Sequence, residues 1–256
     1  MSVNSDDKEL FNKIARKYSK KDMIPSSSLA RKAVLLEAMK KVFSLCKNTG
    51  TVIEIGCGVG ATCRYLDGFY GKYIGLDQSD NLIEIARQFN LQEKAAEFSA
   101  ENILLPGKHD DTADLILSVG VLHHIPDIDD ALKAVHRLSK PGALFMAIEP
   151  QKNNPLIQLL RFIRKLADPG YSRDQYFFSG PDLVEALSRN GFTDITLEYQ
   201  GFFTPVFAQV ILMPQCIFKP ISVLCVKLDS FLNNRLPPVL KKLSFNAVVT
   251  AKAGKV

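Results

Sequence analysis

The chain has 256 residues, 46% of them apolar and 23% charged, which suits a folded globular protein with room for one large α/β domain and insertions. Its five cysteines are scattered and match no zinc spacing, and the polar run Met1–Lys21 does not read as a secretory signal, so a cytoplasmic protein with free thiols is expected. The formal charge of +5 is concentrated: residues 201–256 hold seven Lys/Arg and one acid, Asp229, and the remainder is close to neutral.

Taken along the chain, Ser26–Ser28 open a helical stretch over Leu29–Cys46, with Ala33, Leu36, Met39 and Phe43 on one stripe. A rhythm of strands and helices follows. Thr51–Ile55 is a β-rich run, Ala61–Leu66 suits a helix, Lys72–Leu76 is a second strand and Asp80–Phe89 a helix. Asp114–Val119 and Ala143–Ile148 are further apolar runs, separated by a helix at Ile128–Leu138. Asp182–Asn190 reads as a helix closed by Gly191 in the left-handed position. Thr193–Tyr199 and Ala247–Ala251 are the last strands. Apolar strands alternating with helices argue for a parallel sheet covered on both faces, in a doubly wound α/β fold. Residues 1–47 are read as an N-terminal helical cap and 48–256 as the main domain. Stretches at about 150–180 and 201–245 are too long for connections and are read as insertions that build one side of a pocket.

The run Val52-Ile53-Glu54-Ile55-Gly56-Cys57-Gly58-Val59-Gly60-Ala61 carries the most information. A strand feeds a loop with glycine at every second place, so a ligand can lie against the backbone. Glu54 places a carboxylate in a buried strand, a costly choice unless a ligand cation or another partner meets it. Tyr73-Ile74-Gly75-Leu76-Asp77 ends the next strand with an acid suited to ribose hydroxyls. Gly56, Gly58 and Ala61 also satisfy the relaxed dinucleotide fingerprint, so a NAD(P)-dependent oxidoreductase shares these features. The run Asp114-Leu115-Ile116-Leu117-Ser118-Val119-Gly120-Val121-Leu122-His123-His124-Ile125-Pro126-Asp127 separates the two cases.

With that run, the chain resembles class I S-adenosylmethionine (SAM)-dependent methyltransferases, in the group that includes ubiquinone and menaquinone biosynthesis enzymes. The likeness covers about 48–150 in four blocks: Glu54 to Gly60, Asp77 with Gln78, Ser99 to Asn102 with Leu105-Pro106, and Ser118 to Asp127 with Leu138 to Ala143. It implies a Rossmann-like seven-stranded sheet, mostly parallel with an antiparallel last strand, plus helical insertions. It also implies that Gly56, Cys57 and Gly58 lie under the methionine moiety of SAM and that Asp77, beside Gln78, holds the ribose. Glu101 and Asn102 should approach the adenine, although the family more often has aspartate at Glu101. Ser118 and Val119 should approach the sulfonium end.

His123 and His124 are the candidates for acid–base work on an acceptor hydroxyl, against a plain role in holding the loop. Acids that help some quinone O-methyltransferases hold a metal are missing at Gly120 and His123, so a metal-dependent mechanism is disfavoured. Tyr18 could close over the cofactor, and Tyr171, Tyr176, Phe177 and Phe178 could line an acceptor pocket. Between Glu198 and Lys219 lie twenty uncharged residues interrupted by Pro205 and Pro214, better suited to a lid or interfacial helices than to a membrane span. The expected function is methylation, on oxygen by preference, of a small apolar or lipid-like acceptor, with possible peripheral membrane contact through 201–245. A catalytically silent SAM-binding scaffold is the alternative. Nucleic acid is not expected as a partner, since no basic stripe interleaved with aromatics is present.

Overall fold

The computed structural model describes residues 5–155, 157–159, 161–162 and 175–254. Seven strands form one sheet: β1 (Thr49–Ile55), β2 (Tyr70–Asp77), β3 (Ala96–Ala100), β4 (Ala113–Val119), β5 (Ser139–Pro150), β6 (Thr193–Gln200) and β7 (Asn246–Lys252). Their order is β3-β2-β1-β4-β5-β7-β6. Strands β1 to β5 pair in parallel, and β7 runs antiparallel to both β5 and β6. The doubly wound reading and the antiparallel last strand therefore hold. Strand β3, which periodicity alone does not mark, is short and only partly buried at the sheet edge.

The apolar strands are buried on both faces because their alternate residues feed two cores. Ile53, Ile55, Ile116 and Phe145 meet α5 (Ile128–Leu138) and α6 (Gly180–Arg189). Val52, Leu115, Leu117 and Met146 meet α2 (Pro25–Leu45), α3 (Ala61–Tyr65) and α4 (Asp80–Phe89). Helix starts follow local chemistry. Ser79, Asp127 and Ser179 cap α4, α5 and α6 with side-chain oxygens that accept backbone N–H groups. Gly191 has φ +80°, the left-handed position expected after α6.

Residues 5–45 form two helices, α1 (Ser5–Met23) and α2. Helix α2 covers one face of the sheet through Leu35, Ala38, Met39 and Val42. Helix α1 packs Phe11 and Ala15 against Val59 and Leu82, beside the start of α4. The long C-terminal insertion is helical: α7 (Thr204–Gln209), α8 (Gln215–Arg235) and α9 (Pro238–Lys241). Pro205 lies in the first turn of α7 and Pro214 precedes α8, so both prolines bound helices here. Ala30 of α2 packs with Phe207 and Ala208 of α7, tying the insertion to the N-terminal helices. Among the described residues, no helix is long and apolar enough to cross a membrane.

Candidate active site

The strand order reverses between β1 and β4, so the connections leaving their carboxyl ends diverge to opposite sides and open a crevice. A cavity of about 950 Å³ occupies it. Its wall takes Glu54, Gly56, Cys57 and Gly58 from the end of β1, Asp77 and Gln78 from β2, Glu101 and Asn102 from β3, and Val119 from β4. Tyr18, His123, His124 and Phe177 also reach it. The tertiary fold thus gathers most of the residues picked from sequence into one place.

Five do not join them as expected, and one of these, Phe178, packs against the sheet's main core instead. Ser118 is buried within β4 and does not line the cavity, because the residue at the strand's end, Val119, is the one that faces it. Tyr176 is 47% exposed and does not line the cavity. Its backbone N–H donates to the His123 carbonyl oxygen at 2.8 Å, which is its link to the site. Gly60 has φ +68° and also lies off the wall. A Cβ there would overlap the Phe98 ring, so this glycine serves packing. Tyr171 lies outside the described residues.

Of the two loop glycines on the wall, Gly56 and Gly58, the second is the one with open space beside it. Its φ is +56°, and a Cβ would meet nothing nearer than Tyr18 Cε1 at 3.7 Å. Its N–H donates to Asp77 Oδ2 at 2.9 Å, and Ser79 N–H donates to Oδ1 at the same distance. Burial raises the Asp77 pKa above the ordinary value, and these two donors oppose that shift. Two spare lone pairs remain for hydroxyls of a ligand.

Glu54 is buried on the α2 side of the sheet. Thr62 Oγ1 donates to its Oε1 at 2.9 Å, and the Tyr73 hydroxyl donates to Oε2. Both donors are neutral, so burial dominates and pushes the carboxyl up to about 7. The partners that the buried carboxylate needs are thus neutral hydroxyls and not a cationic side chain in direct contact. Above it stands a pair that sequence reading passed over. Arg31 Nε lies 2.7 Å from Asp22 Oδ1, both residues line the cavity, and Asp22 is among the charges that keep the guanidinium protonated against burial. The Tyr18 ring lies beside the Arg31 guanidinium, 5.8 Å from centroid to Cζ. Two helices outside the motif region place these groups, so no short motif could have marked them.

The paired histidines have separate partners. His123 Nδ1 lies 2.6 Å from Glu149 Oε2, and the other oxygen of Glu149 accepts the N–H groups of Val121 and Leu122 at 2.9 and 2.8 Å. Burial lowers the His123 pKa below its ordinary 6.5, with Glu149 opposing. The imidazole is therefore neutral at pH 7, with Nδ1–H turned to the carboxylate. The ring stacks on Phe177 at 5.5 Å, and Arg161 lies over the other ring of that pair, 3.4 Å from the Phe177 centroid. His124 Nδ1 instead lies 3.0 Å from Asp7 of α1, so this residue ties the loop to the N-terminal helix. Glu149 falls one residue past the apolar run Ala143–Ile148, where the sequence gives it no role.

The far wall is apolar: Ile148, Ile157, Val206, Val210 and Ile211 contribute to it. A crevice lined by glycine backbone and carboxylates, by apolar side chains and by a polarised histidine suits a nucleoside-bearing cofactor and a greasy reactant.

Comparison with known proteins agrees. A family model described as a methyltransferase domain matches residues 29–197. An uncharacterised methyltransferase of Bacillus subtilis is 27% identical over 137 residues, half of this chain and 53% of that one. A demethylmenaquinone methyltransferase of Lactococcus lactis is 32% identical over 148 residues, 55% of this chain and 57% of that one. The chain thus spans about half the length of the curated relatives it matches. A Thermotoga maritima structure described as a SAM-dependent methyltransferase, possible histamine N-methyltransferase, superposes with a TM-score of 0.64 at 18% identity, covering 96% of this chain and 99% of that one. That likeness shows a shared fold. With the family model covering most of the chain and the strand order in place, this protein belongs to the methyltransferase-domain family, whose class I members use SAM as cofactor.

Proposed function

We propose that this chain transfers the methyl group of SAM to a small apolar acceptor, with oxygen as the atom methylated. One observation carries the reading. A single cavity of about 950 Å³ joins the Gly56–Gly58 backbone and the carboxylates of Glu54 and Asp77 to the apolar wall formed by Ile157, Val206, Val210 and Ile211. The residues fit the cofactor. Gly58 leaves space where a Cβ would stand, Glu54 is a buried carboxylate whose side-chain donors are neutral hydroxyls, and Asp77 keeps free lone pairs. In this reading Glu54 faces the ammonium group of the methionine moiety and Arg31 its carboxylate. Asp77 takes the ribose hydroxyls, Gln78, Glu101 and Asn102 flank the adenine, and Val119 approaches the sulfonium.

SAM, when bound, supplies a methyl group already activated for in-line attack, so the protein's share is positioning and proton handling. His123 accepts the acceptor's proton at Nε2 while Glu149 holds Nδ1–H and steadies the imidazolium that results. The apolar wall excludes water. Helix α7 and the turn that follows it, with α1 and α2, form the acceptor side. The relative named for demethylmenaquinone supports a quinol-like acceptor.

Calorimetric titration with SAM and S-adenosylhomocysteine, alongside an Asp77→Ala variant, tests the reading. Micromolar binding weakened at least tenfold (about 1.4 kcal/mol) in the variant is the expected result. Absence of binding by the wild type sinks the proposal. Binding without turnover across a panel of apolar phenols, quinols and lipids replaces it with a silent SAM-binding scaffold.

A further inference from the structure

Helix α8 is built inside out. The residues it buries are polar, Ser222 and Asp229, seven positions apart and so on one face. Ser222 Oγ donates to the Ser26 carbonyl oxygen at 2.8 Å, and Asp229 accepts the N–H groups of Phe202, Phe203 and Thr204 at the start of α7. These bonds fix the rotation of the helix. The opposite face carries Ile217, Ile221, Leu224, Leu228 and Phe231, spaced 4, 3, 4 and 3, and each is 40 to 64% exposed. An ordinary surface helix turns such a stripe toward the core. The next helix continues the pattern with Val239 and Leu240 exposed as well.

The charges around this stripe have one sign. Lys219, Lys227, Arg235 and Lys242 are exposed, while Asp229, the only acid between residues 201 and 256, is buried on the inner face of α8. The apolar surface also runs into the cavity: Val206 and Val210 are both exposed and part of its wall.

We infer that α7 to α9 dock this protein on an anionic lipid bilayer, with the α8 stripe entering the headgroup–acyl boundary and the flanking lysines meeting lipid phosphates. A second copy fits the charge pattern badly, since two such faces meeting would set cation against cation with no accessible acid between them. A bilayer supplies both an apolar layer and negative charge, the two properties this face is built for. Its purpose rests on the apolar-acceptor reading, because the exposed wall at Val206 and Val210 would then open toward the phase in which such an acceptor dissolves. Its evidence is independent of that reading.

Flotation of the purified full chain with phosphatidylcholine vesicles, and with vesicles containing phosphatidylglycerol, tests the inference. Wild type is expected to float with the anionic vesicles and to be released by raising salt to about 0.5 M, where surface charge is screened. A Leu224→Glu, Phe231→Glu double variant should lose partitioning at least tenfold, and a Lys227→Glu, Lys242→Glu variant should lose it on anionic vesicles. Circular dichroism melting of each variant guards against misfolding. Equal flotation of wild type and double variant, or none for wild type at low salt, overturns the inference. So does a concentration-dependent dimer that the double variant dissolves, with no vesicle binding. Failure of SAM to bind would leave these outcomes unchanged, so the two proposals fail separately.

Discussion

Glu149 and His123 form a closed pair: Nδ1 of the imidazole lies 2.6 Å from Oε2 of a carboxylate at the end of β5, and both residues are buried. The same carboxylate gathers the N–H groups of Val121 and Leu122, so one side chain shapes the loop after β4 and orients its histidine. Glu149 is a positioning residue, and its removal should act through His123. In Glu149→Gln the amide can donate to Nδ1, which favours the tautomer with its proton on Nε2 and removes the base. We expect kcat to fall roughly 10²-fold or more with the SAM dissociation constant nearly unchanged. The acid limb of the wild-type pH profile should lie below 6.5, since burial depresses the His123 pKa and catalysis needs the neutral ring. Profiles of kcat/KM for wild type and variant check both points, and a wild-type limb above 6.5 would remove His123 from the mechanism.

Glu54 couples cofactor binding to pH. Its folded pKa, about 7, lies above the ordinary 4.5, so the folded apoprotein holds this proton more tightly than the unfolded chain. Stability from this group is full below pH 4.5 and declines as pH rises through 7, by about 3 kcal/mol for a shift from 4.5 to about 7. Glu54→Gln should therefore raise the apoprotein Tm at pH 8. It should also weaken SAM binding, because a neutral amide cannot pair with an ammonium group. In wild type, SAM binding near pH 6 should release a proton, visible as a buffer-dependent calorimetric enthalpy. A variant that melts lower at pH 8 and binds SAM normally would contradict this account.

Two glycines of one loop should fail in different ways. Gly60→Ala drives a methyl into Phe98 at φ +68°, so a fall of several kcal/mol in stability is expected, as for overpacking with backbone strain. Gly58→Ala meets open space at φ +56° and should cost about 1 kcal/mol of stability. Its methyl points toward the cavity, so SAM affinity should drop much further than Tm suggests. Denaturant melts and calorimetry on the pair separate the two effects.

Arg31 and Asp22 bring charge to the cavity from the N-terminal helices. Arg31→Met keeps much of the packing volume and removes the cation. We expect SAM to bind roughly tenfold more weakly, while adenosine, which lacks the methionine moiety, is bound as before. Equal losses for both ligands would place Arg31 in the fold and not in recognition.

The sequence by itself determined the sheet and the glycine and carboxylate lining of the cavity at the ends of β1 and β2. Strands such as Thr51–Ile55 and Asp114–Val119 are apolar on both faces, and helices such as Asp80–Phe89 and Ile128–Leu138 carry their own caps, so local pattern suffices to place them. Gly58 and Asp77 were legible because backbone freedom and a strand-terminal acid are local properties of the chain. Tertiary structure alone decided which glycine faces the cavity, since Gly58 and Gly60 look alike until Phe98 is seen against one of them. It also decided the pairing of Glu149 with His123, 26 residues apart, and the position of Arg31 over a loop that begins 25 residues later. The rotation of α8 is the clearest case. Its stripe of apolar residues is compatible with either a buried or an outward face, and Ser26 and the start of α7 settle it: they supply hydrogen-bond partners for Ser222 and Asp229, and those contacts turn the apolar side outward. Hydrophobic periodicity reports that a helix has two faces, and only its neighbours decide which one is covered.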